Sequence, residues 1–220
     1  MTDTPPPVLD VPDLSRMGVD AGKPLVIVDV DEVLGLFMQG FGTFLAGHGL
    51  EFRVEKFALF QNIYRPGEAE HLDIAEGRKH YDEFFREACG EMPLAPGGPE
   101  ALRALSAKAG VVILTNAPGQ ARQARARWLA RHGMDYPLIL NTGPKGPLAS
   151  ALARQVTGKV AFIDDLIPNL DSVQEHAPHI TRFQSVADPR LRPLAPAKPH
   201  LHTRIDDWAE LRLAIAEAIA

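Results

Sequence analysis

The stretch Val26-Ile27-Val28-Asp29-Val30-Asp31 decides the fold of this chain. Val26, Ile27 and Val28 are β-branched and apolar, a run short enough for a buried strand, and they lead straight into two carboxylates. A buried parallel strand that ends in acid delivers charge to the carboxyl edge of a sheet, where open α/β folds place their sites. Residues i and i+2 of a strand point to the same side, so Asp29 and Asp31 can face one ligand together. Like charges held that close repel unless a cation or a proton lies between them. For an isolated Asp-x-Asp, two solvated turn residues would be the simpler reading.

Two further apolar runs repeat the pattern. Val111-Val-Ile-Leu114 runs into Thr115 and Asn116, and Val160-Ala-Phe-Ile163 runs into Asp164 and Asp165, with Asn169 one helical turn beyond. Lys145 stands between them in Gly143-Pro-Lys-Gly146, ahead of a helix-like segment. If β and α segments alternate, all of these groups come to one edge of a parallel sheet. Each has a plain alternative: capping for Thr115-Asn116 and for Asp164-Asp165, an exposed loop cation for Lys145. Chance does not readily produce all four in this order.

In order and residue type these motifs resemble those of the haloacid dehalogenase superfamily, the aspartate-nucleophile phosphohydrolases, over residues 24 to 183. The resemblance implies an α/β fold: a doubly wound, mainly parallel Rossmann-like core sheet with an inserted α-helical cap. It implies Asp29 as the nucleophile that forms an aspartyl-phosphate, splitting one hard hydrolysis into two easier steps. Asp31 would protonate the leaving oxygen and then activate water. A carboxylate attacking a phosphate is electrostatically opposed, and Mg²⁺ with its preference for oxygen ligands removes that opposition. The resemblance puts the Asp29 carboxylate, the Asp31 backbone carbonyl and Asp165 on the metal, with Asp164 behind them and Asn169 in support. Thr115 and the Asn116 N–H would hold phosphate oxygens, and Lys145 would neutralise charge on the nucleophile and the transferred group.

An acid two residues past the nucleophile favours phosphate-ester hydrolysis or phosphomutase chemistry over dehalogenation. The expected function is a Mg²⁺-dependent phosphatase acting on a small phosphorylated metabolite; 5′-nucleotidase-like activity and phosphomutase chemistry are the alternatives of the same superfamily. A non-catalytic phosphate-binding regulatory protein is the alternative of another class, against which the retention of every catalytic residue type argues. A two-component receiver domain uses a similar kit, but its acid pair follows the first strand, whereas Asp164-Asp165 comes last. Glu32 departs from the superfamily, which often has Gly there.

The remaining chain organises around these motifs. Residues 1–22 are Pro- and Asp-rich and read as a flexible or loosely docked arm. Residues 23–35 and 94–220 form the α/β core domain, and residues 36–93 the helical cap, where eight of the ten phenylalanines fall. Phe37 and Phe41 are candidates to stack a flat group, and Asn62, Arg65 and Arg78 to make polar substrate contacts. Arg122, Arg125, Arg127 and Arg131 form no single stripe at about 100° per residue, which reads as a solvated helix. Val186 to Leu201 reads as Pro-rich connection. Asp207 with Glu210 reads as the start of the closing helix, striped by Trp208, Leu211, Ile215 and Ile219. A net charge of −5 without a basic block gives no reason to expect a nucleic-acid polymer or a membrane as partner. The single Cys89 and the lack of a signal-peptide pattern fit a cytoplasmic protein. Oligomeric state has no signal in the sequence.

Overall fold

In the computed structural model, which describes residues 11–220, the first strand β1 is Leu25–Val28. Its neighbours are β4 (Gly110–Asn116) and β6 (Val160–Asp164), both parallel to it. With β5 (Leu138–Asn141), β7 (Thr181–Gln184) and β8 (Thr203–Arg204) they form a parallel sheet ordered β5-β4-β1-β6-β7-β8.

Period-two alternation divides this sheet into two apolar faces. Val26, Val28, Val111, Ile113, Ala161 and Ile163 face one way, toward α3 (Gly98–Ser106), α4 (Arg122–Arg131) and α7 (Trp208–Ala218). Leu25, Ile27, Val112, Leu114, Val160 and Phe162 face the other, toward α5 (Gly146–Ala153) and α6 (Ile167–His176). Central strands covered on both sides must be apolar throughout, which is why the runs around Ile27, Ile113 and Phe162 do not alternate with polar residues. The connection leaving β1 crosses one face and that leaving β6 crosses the other. A crevice therefore opens between their carboxyl ends, at the switch point of a doubly wound sheet.

Between β1 and β4 the chain forms α1 (Phe37–Gly47), a short antiparallel hairpin of β2 (Glu51–Phe52) and β3 (Ile63–Tyr64), and α2 (Ile74–Glu87). The insert is thus not purely helical. Its aromatic residues pack on one another, with Phe41 and Phe84 centroids 5.4 Å apart and Tyr81 and Phe85 4.7 Å apart. The same buried cluster continues through Phe37, Phe41 and Phe85 to Val28, Ile113 and Trp128 of the core, so insert and core share one apolar interior. Asp73 and Asp207 cap α2 and α7, each accepting two backbone N–H bonds; for Asp207 these come from Ala209 and Glu210, as its spacing predicts.

Two segments, residues 11–22 of the N-terminal arm and the Pro-rich connection, are packed firmly onto the core. Residues 1–10 lie outside the described residues, but residues 11–22 are docked. Leu14 and Val19 are buried with α5 and α6, and Gln155 clasps the segment by accepting from Leu14 N and donating to Pro12 O. Residues 186–201 are likewise built in: Arg192 donates to the carbonyls of Val186, Ala187 and Asp206, and Arg204 to those of Arg192 and Ala195. Proline supplies no N–H, so guanidinium groups satisfy the carbonyls that a regular ladder would otherwise pair.

Close approach of α5 to α6 sets the position of Lys145, the residue just before α5. A Cβ added at Gly146 would stand 2.1 Å from the Ser172 carbonyl oxygen on α6. Gly146→Ala should therefore cost about 3 kcal/mol, seen as a lowered thermal midpoint, because backbone cannot step aside as a side-chain tip can. Gly47→Ala, at an open position with nothing within 4 Å, should change stability by less than about 1 kcal/mol. Equal midpoints for the two variants would show that this packing does not hold α5.

Candidate active site

The motif residues meet at the β1/β6 crevice. Asp29 and Asp31 follow β1, Asp164 ends β6 and Asp165 follows it, and Lys145 reaches in from the start of α5. Lys145 is fully buried, and its Nζ stands 2.7 Å from Asp29 Oδ1 and 2.7 Å from Asp164 Oδ2. Burial alone would lower the Lys145 pKa, but the charges of Asp164 and Asp29 outweigh it and hold the ammonium above its ordinary value. Asp164 is fixed further by the backbone N–H of Leu166 and by Asn169 Nδ2, both 3.0 Å from Oδ1. Asn169 thus holds Asp164 in place.

Carboxylate oxygens of Asp29, Asp164 and Asp165 all lie within 4.8 Å of one another. All three are buried, with one lysine between them. Burial raises Asp164 to about 6 despite Lys145, and burial with the charges of Asp164, Asp29 and Glu32 raises Asp165 well above the carboxylate range. Three buried acids against one ammonium leave negative charge uncompensated, and their oxygen donors suit a hard divalent cation. Beside them the Thr115 hydroxyl is fully buried at the end of β4 without a hydrogen-bond partner among the described residues. Such an orphan is expensive unless a ligand oxygen completes it. Asn116 lines the cavity, its side chain donating to Gly143 O and accepting from Asn141 Nδ2.

Asp31 is placed by a residue the sequence reading set aside. Arg125 of α4 is fully buried, and its Nη2 donates to Asp31 Oδ1 at 2.5 Å. Its guanidinium lies 5.2 Å from the centre of the Phe85 ring, and Nη1 meets Met92 Sδ at 3.6 Å. Burial raises the Asp31 pKa, and Arg125 works against that rise. The reading of α4 as solvated is therefore corrected at this position. A signal existed: Arg125 shares the i, i+3, i+4 face of the buried Trp128 and Leu129.

Glu32 occupies the left-handed region at φ 58°, a conformation that favours glycine, and its side chain gives the reason for its presence. Oε1 accepts from Met38 N at 2.7 Å, in the first turn of α1, and Oε2 accepts from Asp188 N at 3.3 Å. Its own carbonyl accepts from Ala187 N at 2.7 Å. Glu32 thus ties the acid turn to the insert and to the Pro-rich segment. Burial pushes its pKa up to about 8.

The cap candidates divide. Phe37 lines the cavity above the acids, whereas Phe41 is buried in the aromatic cluster behind it. Asn62 is fully buried and structural: Nδ2 donates to the carbonyls of Lys56 and Ala58, and Oδ1 accepts from Glu55 N. Arg65 points away from the cavity, paired with Glu76 at 2.8 Å, and Arg78 lies over the Phe60 ring. Asn62, Arg65 and Arg78 are therefore not placed as direct substrate contacts. Their polarity drew the expectation, but local acceptors and rings satisfy it. Cys89 is buried and donates to Phe85 O.

The chain's sequence matches no family model and no curated protein. Similar solved structures include a hydrolase of the haloacid dehalogenase-like family from Streptococcus pneumoniae, 14% identical with TM-score 0.59, covering 89% of this chain and 99% of that one. An L-2-haloacid dehalogenase aligns at TM-score 0.57 and 14% identity over 88% of this chain and 100% of its own. The D,D-heptose 1,7-bisphosphate phosphatase of B. bronchiseptica, complexed with magnesium and phosphate, aligns at TM-score 0.50 and 17% identity over 88% and 98%. The chain has the α/β fold of the haloacid dehalogenase-like hydrolases, as its motif order implies. Among the described residues no helix is long and apolar enough to cross a membrane.

Arg125 and Asp31 should prove energetically coupled. Arg125→Met leaves the half-buried Asp31 carboxylate without its partner and should cost about 2 kcal/mol of stability. Adding Asp31→Asn to Arg125→Met should recover part of that loss, leaving a coupling of about 1–2 kcal/mol in a double-mutant cycle of denaturant unfolding. Strict additivity would mean that the pair contributes nothing.

Proposed function

We propose that the chain is a Mg²⁺-dependent phosphatase of the haloacid dehalogenase superfamily, hydrolysing a small phosphorylated metabolite through an aspartyl-phosphate. The observation that carries the reading is the second acid. Asp31 lines the same cavity as Asp29 and is held there by buried Arg125. Displacing halide needs no such group, whereas expelling an alkoxide from phosphorus needs a proton donor at the leaving oxygen.

In the first step Asp29 attacks phosphorus, the bond to the ester oxygen breaks, and Asp31 gives its proton to that oxygen. In the second, Asp31 takes a proton from water as the water oxygen attacks the phosphorus, and inorganic phosphate leaves Asp29 free. Arg125 keeps the Asp31 carboxyl in one orientation through both transfers. Burial favours the protonated acid the first step requires, and Arg125 favours the carboxylate the second requires. Lys145 offsets the charge of Asp29, and the Thr115 hydroxyl with the Asn116 N–H would receive phosphoryl oxygens. Mg²⁺, held by Asp29, Asp165 and the Asp31 carbonyl, would supply the charge that lets a carboxylate approach a phosphate. The insert, bearing on the cavity through Phe37, Met38 and Tyr81, would cap the site and keep bulk water from the intermediate.

Three variants test the division of roles by phosphate release from phosphomonoesters in Mg²⁺. Asp29→Asn should abolish turnover with the fold retained, and Asp31→Asn should slow esters of poor leaving groups far more than aryl esters. Asp165→Asn should lose the rise in thermal midpoint that Mg²⁺ gives the wild type, and EDTA should abolish wild-type activity until Mg²⁺ is restored. Comparable turnover by well-folded Asp29→Asn protein would rule out the covalent route.

A further inference from the structure

The cavity above the acids is small and lopsided. It encloses about 250 Å³, below the roughly 300–1,000 Å³ of sites for drug-sized ligands. Its floor carries Asp29, Asp31, Lys145 and Asp165, and its walls are Phe37, Met38, Phe57, Leu59, Tyr81 and Leu166. Leu166 is 41% exposed at this rim, a large apolar side chain left without cover. The phosphoryl group belongs to the floor, so whatever it is esterified to meets the walls.

Those walls are apolar apart from the Tyr81 hydroxyl, with Glu32 a further acid in the lining, and three of the insert's arginines are engaged elsewhere. Arg53 is paired with Glu51 and donates to Glu68 O, Arg65 is paired with Glu76, and Arg78 covers the Phe60 ring. Of the two buried cations near the floor, Arg125 is engaged by Asp31 and Lys145 by Asp29 and Asp164. A second phosphate or a carboxylate on the leaving group would be desolvated against these apolar walls and repelled by the acids of the floor. Several hydroxyls would fare little better against these walls, where Tyr81 is the polar side chain, while Asn116 and Asn169 at the floor are already hydrogen-bonded to the protein. The wall is also built firmly, because the buried Asn62 amide holds the carbonyls of Lys56 and Ala58 on either side of Phe57.

We infer that the leaving group is a small, uncharged, mainly apolar alcohol or phenol, about one ring in size, carrying a single phosphate. This rests on the phosphatase reading for the chemistry, but the pocket's preference can be measured without turnover. The probes are benzylphosphonate, which keeps the ring and cannot be hydrolysed, and inorganic phosphate, each titrated calorimetrically into wild-type protein with Mg²⁺. Benzylphosphonate should bind at least about tenfold tighter, the value of burying one modest apolar group, and Phe57→Ala should remove most of that advantage. Among alkyl esters of similar leaving-group basicity, benzyl phosphate should show the highest kcat/KM, followed by glycerol phosphate and glucose 6-phosphate, with fructose 1,6-bisphosphate lowest. Benzylphosphonate binding no tighter than phosphate, or preferred turnover of the sugar bisphosphate, would overturn the inference. Tight benzylphosphonate binding with no phosphate released from any ester would instead uphold the pocket's preference and refute the phosphatase reading.

Discussion

Gathering buried carboxylates at one end of a parallel sheet is the constraint on which this structure depends. Asp29, Asp164 and Asp165 lose their hydration within a few ångströms of one another, and the ammonium of Lys145 is the single charge that bridges two of them. Removing that ammonium would leave like charges facing each other in a region of low polarisability, where repulsion is strongest. The position of α5 follows from this need. Gly146 permits α5 to approach the Ser172 backbone of α6 closely enough to bring Lys145 over the acids. The residual negative charge gives the same cluster the character of a divalent-cation site, where electrostatic cost in the fold would become binding energy.

A second layer fixes the acid turn relative to everything above it. Glu32 accepts a left-handed backbone and returns hydrogen bonds to the start of α1 and to residue 188. Gln184 donates to the Asp165 carbonyl and to Pro196, extending the same linkage along the Pro-rich segment. Arg125 reaches Asp31 through the aromatic interior that insert and core share. The insert is therefore joined to the carboxyl end of the sheet at several points, and its shape bears directly on what can occupy the cavity.

Much of this was legible in the chain itself. Apolar runs of strand length, each ending in Asp or Thr, required a parallel sheet with its polar groups at one edge, because only that arrangement buries the runs and frees the acids. The order of Asp29, Thr115, Lys145 and Asp164-Asp165 named the participants, and Asn169 followed from helical spacing. Helix starts at Asp207 were equally local, since a cap and its N–H donors lie within three residues.

What local pattern left open depended on partners distant in sequence. Arg125 carries the same charge as the exposed arginines of its helix, and it becomes a buried partner of Asp31 because Phe85 and Met92 close over it. Asn62 and Arg65 looked available for substrate until local carbonyls and Glu76 took up their hydrogen bonds. The docking of residues 11–22 required Gln155, and the order of residues 186–201 required Arg192 and Arg204. The sequence by itself determined the sheet and which polar residues gather at its edge, because strand burial and charge spacing are properties of short segments. Only the tertiary structure decided how Asp31 is held, how small the cavity is and how apolar the walls above its acids are, because burial and pairing are set by side chains that the chain brings together from far apart.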